Sequence, residues 1–226
     1  MQAARRPYVI CHMAPSIDGR IVGVGSSRSL TAAYDRLAET FHADAWVAGR
    51  VSMAPYAGKT RVPRRKVRSR IPKNDFIGDS NAQSYAIAID SAGKLMWKSN
   101  AIDEAHVITV LSERVSDDYL AFLQSKRVSY LFGGRTKIDL GKVLIKLREK
   151  FGIRKLLLEG GGKINGSFLA DGLIDELSVL IAPIADGSVG TPTLFDVEGE
   201  AGPPRKLRLI SVETLEGDLV WLRYKF

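Results

Sequence analysis

Three consecutive glycines, Gly160, Gly161 and Gly162, stand between an apolar run and the start of a helical pattern in LLLEGGGKINGSFL, residues 156–169. Glycines at such a junction let main-chain N–H groups approach an anion at the positive end of a helix, where unpaired amides and the macrodipole both favour phosphate. A pyrophosphate suits that chemistry; a merely tight connection is the other reading. The run does not fit G-x-G-x-x-G, because Asn165 takes the last glycine place, and no G-x-x-x-x-G-K-[ST] occurs in the chain. An ordinary Rossmann site and an NTPase are therefore disfavoured. Glu159, at the strand end just before the glycines, either points at the crevice outside the carboxyl ends of an open α/β sheet or is a surface carboxylate. Gly49-Arg50, after the apolar AWVA, puts a cation at a second strand end, either for a dinucleotide phosphate or for a salt bridge. Ser91 closes a third strand in IDSAGK, as a cofactor contact or as a turn cap. Several strands thus deliver glycines, hydroxyls and a cation to what should be one edge.

Other chemistries are narrowed by composition. A single cysteine, Cys11, excludes an intrachain disulfide and a cysteine-cluster metal site, and His12, His42 and His106 lack metal-ligand spacing, so no metal is expected. The net charge of +8 invites a nucleic-acid reading. The whole excess sits in one loop, Lys59 to Lys73 (KTRVPRRKVRSRIPK), which carries eight cations, no acid and no aromatic for base stacking. That loop is either a solvated insertion or a grip for a phosphate-bearing ligand or acidic partner. No apolar stretch approaches membrane-span length and the N-terminus lacks signal-peptide features, so a cytoplasmic protein is expected.

The elements that must hold these residues follow from periodicity. Tyr8–Met13 reads as a first buried strand. Ser29 or Thr31 can cap a helix with Leu30, Ala33, Tyr34, Leu37 and Phe41 on one face, and Ala45–Ala48 is the next strand. Tyr85–Asp90, His106–Leu111 and Val128–Phe132 are further strands, with a helix around Tyr119, Leu120 and Leu123. Asp139 caps a helix whose apolar face is Leu140, Val143, Leu144, Leu147 and Phe151, and Gly152 ends it. After the glycine turn come a helix over Ile164–Ala170 and a strand over Leu177–Ile184. Lys206–Leu215 and Leu219–Phe226 flank Glu216-Gly217-Asp218 as a closing hairpin. The alternation predicts an α/β domain with a mostly parallel central sheet flanked by helices and a C-terminal antiparallel hairpin. No linker or repeat divides the 226 residues, so one domain is expected.

These segments resemble, in order and over nearly the whole chain, the RibD C-terminal family, the pyrimidine reductases of riboflavin biosynthesis, whose fold is dihydrofolate reductase-like. HMAPSIDGRI (His12–Ile21) is similar to the family's K-x-A-x-S-L-D-G-[KR]-I, and GSSRSLTAAYD (Gly25–Asp35) to its substrate and nicotinamide loop with the following helix. DAWVAGRVS (Asp44–Ser52) resembles D-A-x-x-x-G-x-x-T, and IDSAGKL (Ile89–Leu95) resembles I-D-S-x-x-[KR]-[LV]. Residues 156–187 resemble the E-G-G…L-[IV]-D-E-L…A-P…G block, the longest and most specific of the matches. The resemblance implies NADPH as hydride donor, with its pyrophosphate on Gly160, Gly161, Gly162, Lys163 and the helix start, Ile164 through Ser167. It implies further cofactor contacts at Ala14, Ser29, Gly49, Arg50, Ser52 and Ser91, and substrate contacts at Ser27 and Glu159. The implied reaction converts a ribosylamino-pyrimidine, 5-amino-6-(5-phosphoribosylamino)uracil or a related heterocycle, to its ribitylamino form by hydride delivery to the sugar C1′ of an open imine. Placement of donor and acceptor is then the main task. A homodimer is implied as well.

Departures from the pattern are informative. The family's lysine is His12, either a proton or hydrogen-bond donor or a satisfied core histidine. Thr40 replaces a phosphate-gripping arginine, the D-D-P-x-L-x-x-R segment is absent, and Tyr56 stands in the acid's place. The basic loop 59–73 lies where that segment should be. The catalytic candidates are His12 and Glu159. The alternatives are reduction of an unrelated small carbonyl or imine, and nucleic-acid binding through the basic loop, with nucleic acid the less expected partner.

Overall fold

A computed structural model describes residues 6–21, 28–58, 70–199 and 202–226. In chain order the elements are β1 (Tyr8–Met13), α1 (Arg28–Thr40), β2 (Ala45–Gly49), α2 (Arg50–Met53), β3 (Ala57–Gly58), β4 (Tyr85–Ile89), β5 (Met96–Trp97), β6 (Ala101–Ile102) and β7 (Ala105–Ser112). They continue with α3 (Asp117–Ser125), β8 (Ser129–Gly134), α4 (Leu140–Phe151), β9 (Lys155–Leu158), α5 (Gly162–Ala170), β10 (Glu176–Ile181), β11 (Arg208–Leu215) and β12 (Leu219–Lys225). The chain gathers into two compact units, Asp44–Arg154 and Tyr8–Ala43 with Lys155–Phe226. No helix among the described residues is long and apolar enough to cross a membrane.

In the unit spanning Asp44–Arg154, β2, β4, β7 and β8 run parallel, with β6 antiparallel to the start of β7 and β3 pairing β5 separately. All eight residues of β7 are buried, as in a strand covered on both faces; five are apolar, and the polar three are His106, Thr109 and Ser112. Asp139 accepts a hydrogen bond from the Lys142 amide at the start of α4, and Gly152 ends that helix at φ 70°. The anticipated face of α4, Leu140, Val143, Leu144, Leu147 and Phe151, is the buried one. Ser116 caps α3 in the same way, its oxygen accepting from the Tyr119 amide.

In the other unit β1 lies between β9 and β10, parallel to both, and β12 and then β11 add antiparallel strands beside β10. The terminal hairpin expected from the alternation is thus present. The strand expected to reach Ile184 stops at Ile181, where the Ala182 amide turns to the carbonyl of Pro15. Helix α1 is described from Arg28, so Ser29 and Thr31 lie inside it and neither is its cap, and Leu30, Ala33 and Leu37 of the expected apolar face are buried. Residues 14–21 are tied to the loop after β10. Asp18 accepts from the amides of Asp186 and Gly187 and from the Ser16 hydroxyl, which hold its carboxyl below the usual carboxylate range.

Candidate functional site

Parallel pairing decides which residues meet. Register opposes Cys11 of β1 to Leu158 of β9, so the ends of those strands bring His12, Met13 and Ala14 abreast of Glu159 and Gly160. Gly160 has φ +88°, and a Cβ there would press on the Met13 thioether, so glycine is required on both counts. No side chain caps α5: the amides of Ile164 and Asn165 bond the carbonyl of Gly161, and the helix opens at Gly162. The amides of Gly162 and Lys163, ahead of those two, are the donors that this helix start leaves for an anion.

Gly162 and Gly166 answer to packing. A Cβ at Gly162 would collide with the Asp196 carboxylate and the Thr193 carbonyl, and one at Gly166 with the Asp196 carbonyl. The loop around Thr193–Asp196 lies directly on the helix, fastened by the Asp196 amide donating to Gly162 O at 2.9 Å. Asn165, fully buried, donates to Leu194 O, while its Oδ1 has no partner. The expected roles of Lys163 and Ser167 need revision at the side-chain level. The Lys163 ammonium is paired with Glu198 at 2.7 Å, and the Ser167 hydroxyl donates back to Lys163 O, which leaves the Lys163 amide as that stretch's offering to a ligand.

Glu159 is half-buried, and its carboxyl makes no hydrogen bond among the described residues. Burial, with the negative charge of Asp35 nearby, pushes its pKa up to about 7. Tyr34, on α1, donates its hydroxyl to His12 O and stacks on the His12 ring at 4.2 Å.

His12 is the clearest correction. It is fully buried, its Nε2 lies 3.1 Å from Tyr34 O and its Nδ1 2.9 Å from Ser178 Oγ. A carbonyl only accepts, so Nε2 carries the hydrogen and Nδ1 accepts from Ser178, whose oxygen in turn accepts from Trp221 Nε1 at 2.8 Å. Desolvation lowers the His12 pKa to about 4. A neutral ring with both nitrogens engaged by its own core has no proton to give near neutral pH, so of the two readings open in the sequence the satisfied core histidine is the one present.

In the other unit, Gly49 is opposite Ile89, which sets Arg50 beside Asp90 at neighbouring strand ends. Arg50 is exposed and has no acid within ion-pair distance among the described residues, though its charge acts on Asp90. Gly49 precedes α2, and Ser52 is exposed on it. The turn after β4 is built by Asp90, whose Oδ2 accepts from the amides of Lys94 and Leu95 at 2.6 and 2.7 Å, while Oδ1 is buried without a partner. Ser91, exposed, contributes its carbonyl to the Ser112 amide and hydroxyl, and its own hydroxyl has no partner among the described residues. Asp90 was passed over in the sequence although an acid ahead of Ser-Ala-Gly is itself a turn signal. Ser29 is exposed on α1; Ser27 and residues 59–69 of the basic loop lie outside the described residues. Lys73, the loop's last cation, is already bound to Val115 O and the Asp117 carboxylate. A cavity of about 420 Å³ in this unit is lined by Lys73, Asp75, Gly134, Lys137, Lys142 and Lys146 among others. Three of those lysines are neutralised by Asp117, Asp139 and Asp75. Among the described residues no cluster of acids, histidines and cysteine has the makings of a metal site.

The family model for the RibD C-terminal domain matches residues 7–221. The chain belongs to that family. This RibD C-terminal domain is 30% identical, over 95% of its length and 96% of the relative's, to the 2,5-diamino-6-ribosylamino-4(3H)-pyrimidinone 5′-phosphate reductase of Methanothermobacter thermautotrophicus. The reductase of the same name from Archaeoglobus fulgidus is 24% identical, with 97% of the chain and 99% of the relative covered. Among solved structures, a pyrimidine reductase-like protein from Corynebacterium diphtheriae superposes with a TM-score of 0.70 at 18% identity, covering 97% of this chain and 91% of that one. That likeness establishes the α/β fold, with its mostly parallel sheet and C-terminal antiparallel hairpin.

Proposed function

We propose that this chain is an NADPH-dependent reductase of a ribosylamino-pyrimidine 5′-phosphate. The observation that carries the reading is a half-buried carboxyl without a hydrogen-bond partner among the described residues, Glu159, ahead of a helix start that has no side-chain cap. The residues fit a dinucleotide. The Gly162 and Lys163 amides at the start of α5 and the glycines before it would receive the pyrophosphate. Arg50, exposed and free of any acid partner among the described residues, is proposed for the 2′-phosphate by its charge alone. Ala14, Ser29, Ser52 and Ser91 are proposed as lesser contacts on the strength of the family pattern. When bound, the reduced nicotinamide supplies a hydride.

This chain's own task is placement and proton control. Glu159 is about half protonated near pH 7, so its carboxyl can offer a donor and an acceptor together, or two acceptors once ionised. The two substrates in view differ at C2 of the ring. A diaminopyrimidinone presents two donors there, N3–H and the amino group, whereas a uracil presents one donor and one acceptor. The ionised carboxylate matches the first and the protonated acid the second. Phosphate recognition must come from cations other than one at position 40, because the Thr40 hydroxyl is bound to Leu37 O.

The test has two stages. Calorimetric titration with NADPH should show one binding event, and its absence would remove the cofactor assignment. Reduction of both pyrimidines is then followed with wild type and Glu159→Gln. Glutamine presents one donor and one acceptor at every pH, so turnover of the diaminopyrimidinone should fall by about a hundredfold while that of the uracil is retained. Equal turnover of both by the variant, or faster turnover of simple aldehydes than of either pyrimidine, would defeat the substrate assignment.

A further inference from the structure

The loop after β10 is fastened on two sides within its unit. On one side it meets segment 16–21: the Leu194 amide donates to Gly19 O at 3.1 Å, the Ile21 amide to Pro192 O at 3.2 Å, and the Arg20 guanidinium to Thr191 O at 3.0 Å. On the other it meets the start of α5, where the Asp196 amide donates to Gly162 O and Asn165 Nδ2 donates to Leu194 O at 3.0 Å. Leu194 is therefore held from both directions, its N–H by Gly19 and its carbonyl by Asn165. Asp196 closes the turn between, its carboxylate accepting from the Thr193 amide and, at 2.6 Å, from the Thr193 hydroxyl. Of the two bonds that reach the loop from α5, only the one from Asn165 depends on a side chain. Asn165 is fully buried, and its Nδ2 lies 3.5 Å from where a Cβ on Gly160 would stand, so it also packs against the glycine turn. Its Oδ1 is buried without a partner, which is unfavourable. A leucine of similar size would carry no such oxygen, so stability alone does not call for asparagine here.

We propose that Asn165 is a positioning residue for hydride transfer, fixing through Leu194 the distance between the glycine turn and segment 16–21. The proposal rests on the reductase reading, in which α5 seats the dinucleotide and segment 16–21 leads into the stretch that carries Ser27 and Ser29. Hydride donor and acceptor must stand about 3 to 3.5 Å apart, and a displacement of about 1 Å costs about a hundredfold in rate. The backbone bond from Asp196 survives any change at position 165, so the loss on cutting the Asn165 bond is a part of that, about tenfold. Asn165 touches neither reactant: it acts on where they sit, and its removal falls on the transfer step, leaving the amides that hold the diphosphate in place.

The test uses the full chain with Asn165→Leu and Arg20→Met, which cut the same tie from its two sides. The urea midpoint of Asn165→Leu should equal or exceed that of wild type, and the Kd for NADPH by calorimetry should stay within about threefold. Single-turnover oxidation of NADPH by the ribosylamino-pyrimidine 5′-phosphate, with both saturating, should slow about tenfold in each variant. The double variant should be no slower than the slower single one, because the second cut severs a tie already lost. A residue that served stability alone would lower the urea midpoint and leave the transfer rate of the saturated enzyme unchanged. Transfer at the wild-type rate in Asn165→Leu, or in Arg20→Met should the first variant not fold, overturns the proposal, as do losses that multiply in the double variant. A wild type that neither binds NADPH nor reduces a pyrimidine removes the reductase reading, and this inference with it; an active wild type with fast variants removes this inference alone.

Discussion

Replacing Glu159 by glutamine should change the pH dependence of stability by a calculable amount. Burial raises the carboxyl from 4.5 to about 7, and at 1.36 kcal/mol per unit that is about 3 kcal/mol. Between those pH values the folded state holds a proton that the unfolded chain has released. The contribution is therefore complete below pH 4.5 and is lost as pH rises through 7. His12 acts in the opposite sense. Its folded pKa lies near 4 against 6.5 unfolded, so its contribution, also about 3 kcal/mol, is present above pH 6.5 and lost as pH falls toward 4. In the wild type the two slopes nearly cancel from pH 4.5 to 6.5. In Glu159→Gln the slope from position 159 is gone and that of His12 is no longer offset. The variant should match wild type at pH 4 and exceed it by about 3 kcal/mol at pH 8, measured by urea unfolding across that range. A difference between the two proteins that does not vary with pH would refute the reasoning.

Arg50→Ala should raise the Kd for NADPH about tenfold with little effect on NADH, by calorimetry; equal losses would remove Arg50 from the 2′-phosphate. Gly166→Ala drives a methyl into the Asp196 carbonyl and should cost about 1 to 3 kcal/mol of unfolding free energy, with nucleotide affinity falling alongside. Asp139→Ala removes the cap of α4 and should cost about 1 kcal/mol in a denaturant titration, leaving turnover unchanged. Alanine at Arg64, Arg65 and Arg68 together should raise KM for a phosphorylated substrate, and an unchanged KM would show that phosphate is held elsewhere.

Helix α4 was legible residue by residue, because its cap, its apolar face and its glycine stop are all local signals. The strands are legible wherever burial on both faces makes them continuously apolar, as in β4. Short pieces such as β3, β5 and β6 were not, since two residues carry no periodicity. The turn at Gly160–Gly162 was recognised, but two of its consequences are tertiary. Nothing local indicates that Gly162 and Gly166 are small to admit a loop thirty residues downstream. For His12, residue type alone left both readings open; the choice rests on Tyr34, Ser178 and Trp221, which are distant in sequence.

If the proposed nucleotide seats at α5, the bond from the Asp196 amide to the Gly162 carbonyl makes a downstream peptide its reporter. Whatever steadies the opening turn of α5 also slows deuterium uptake at Asp196, although that residue need never touch the bound molecule. Isotope labelling there would register occupancy without a chromophore.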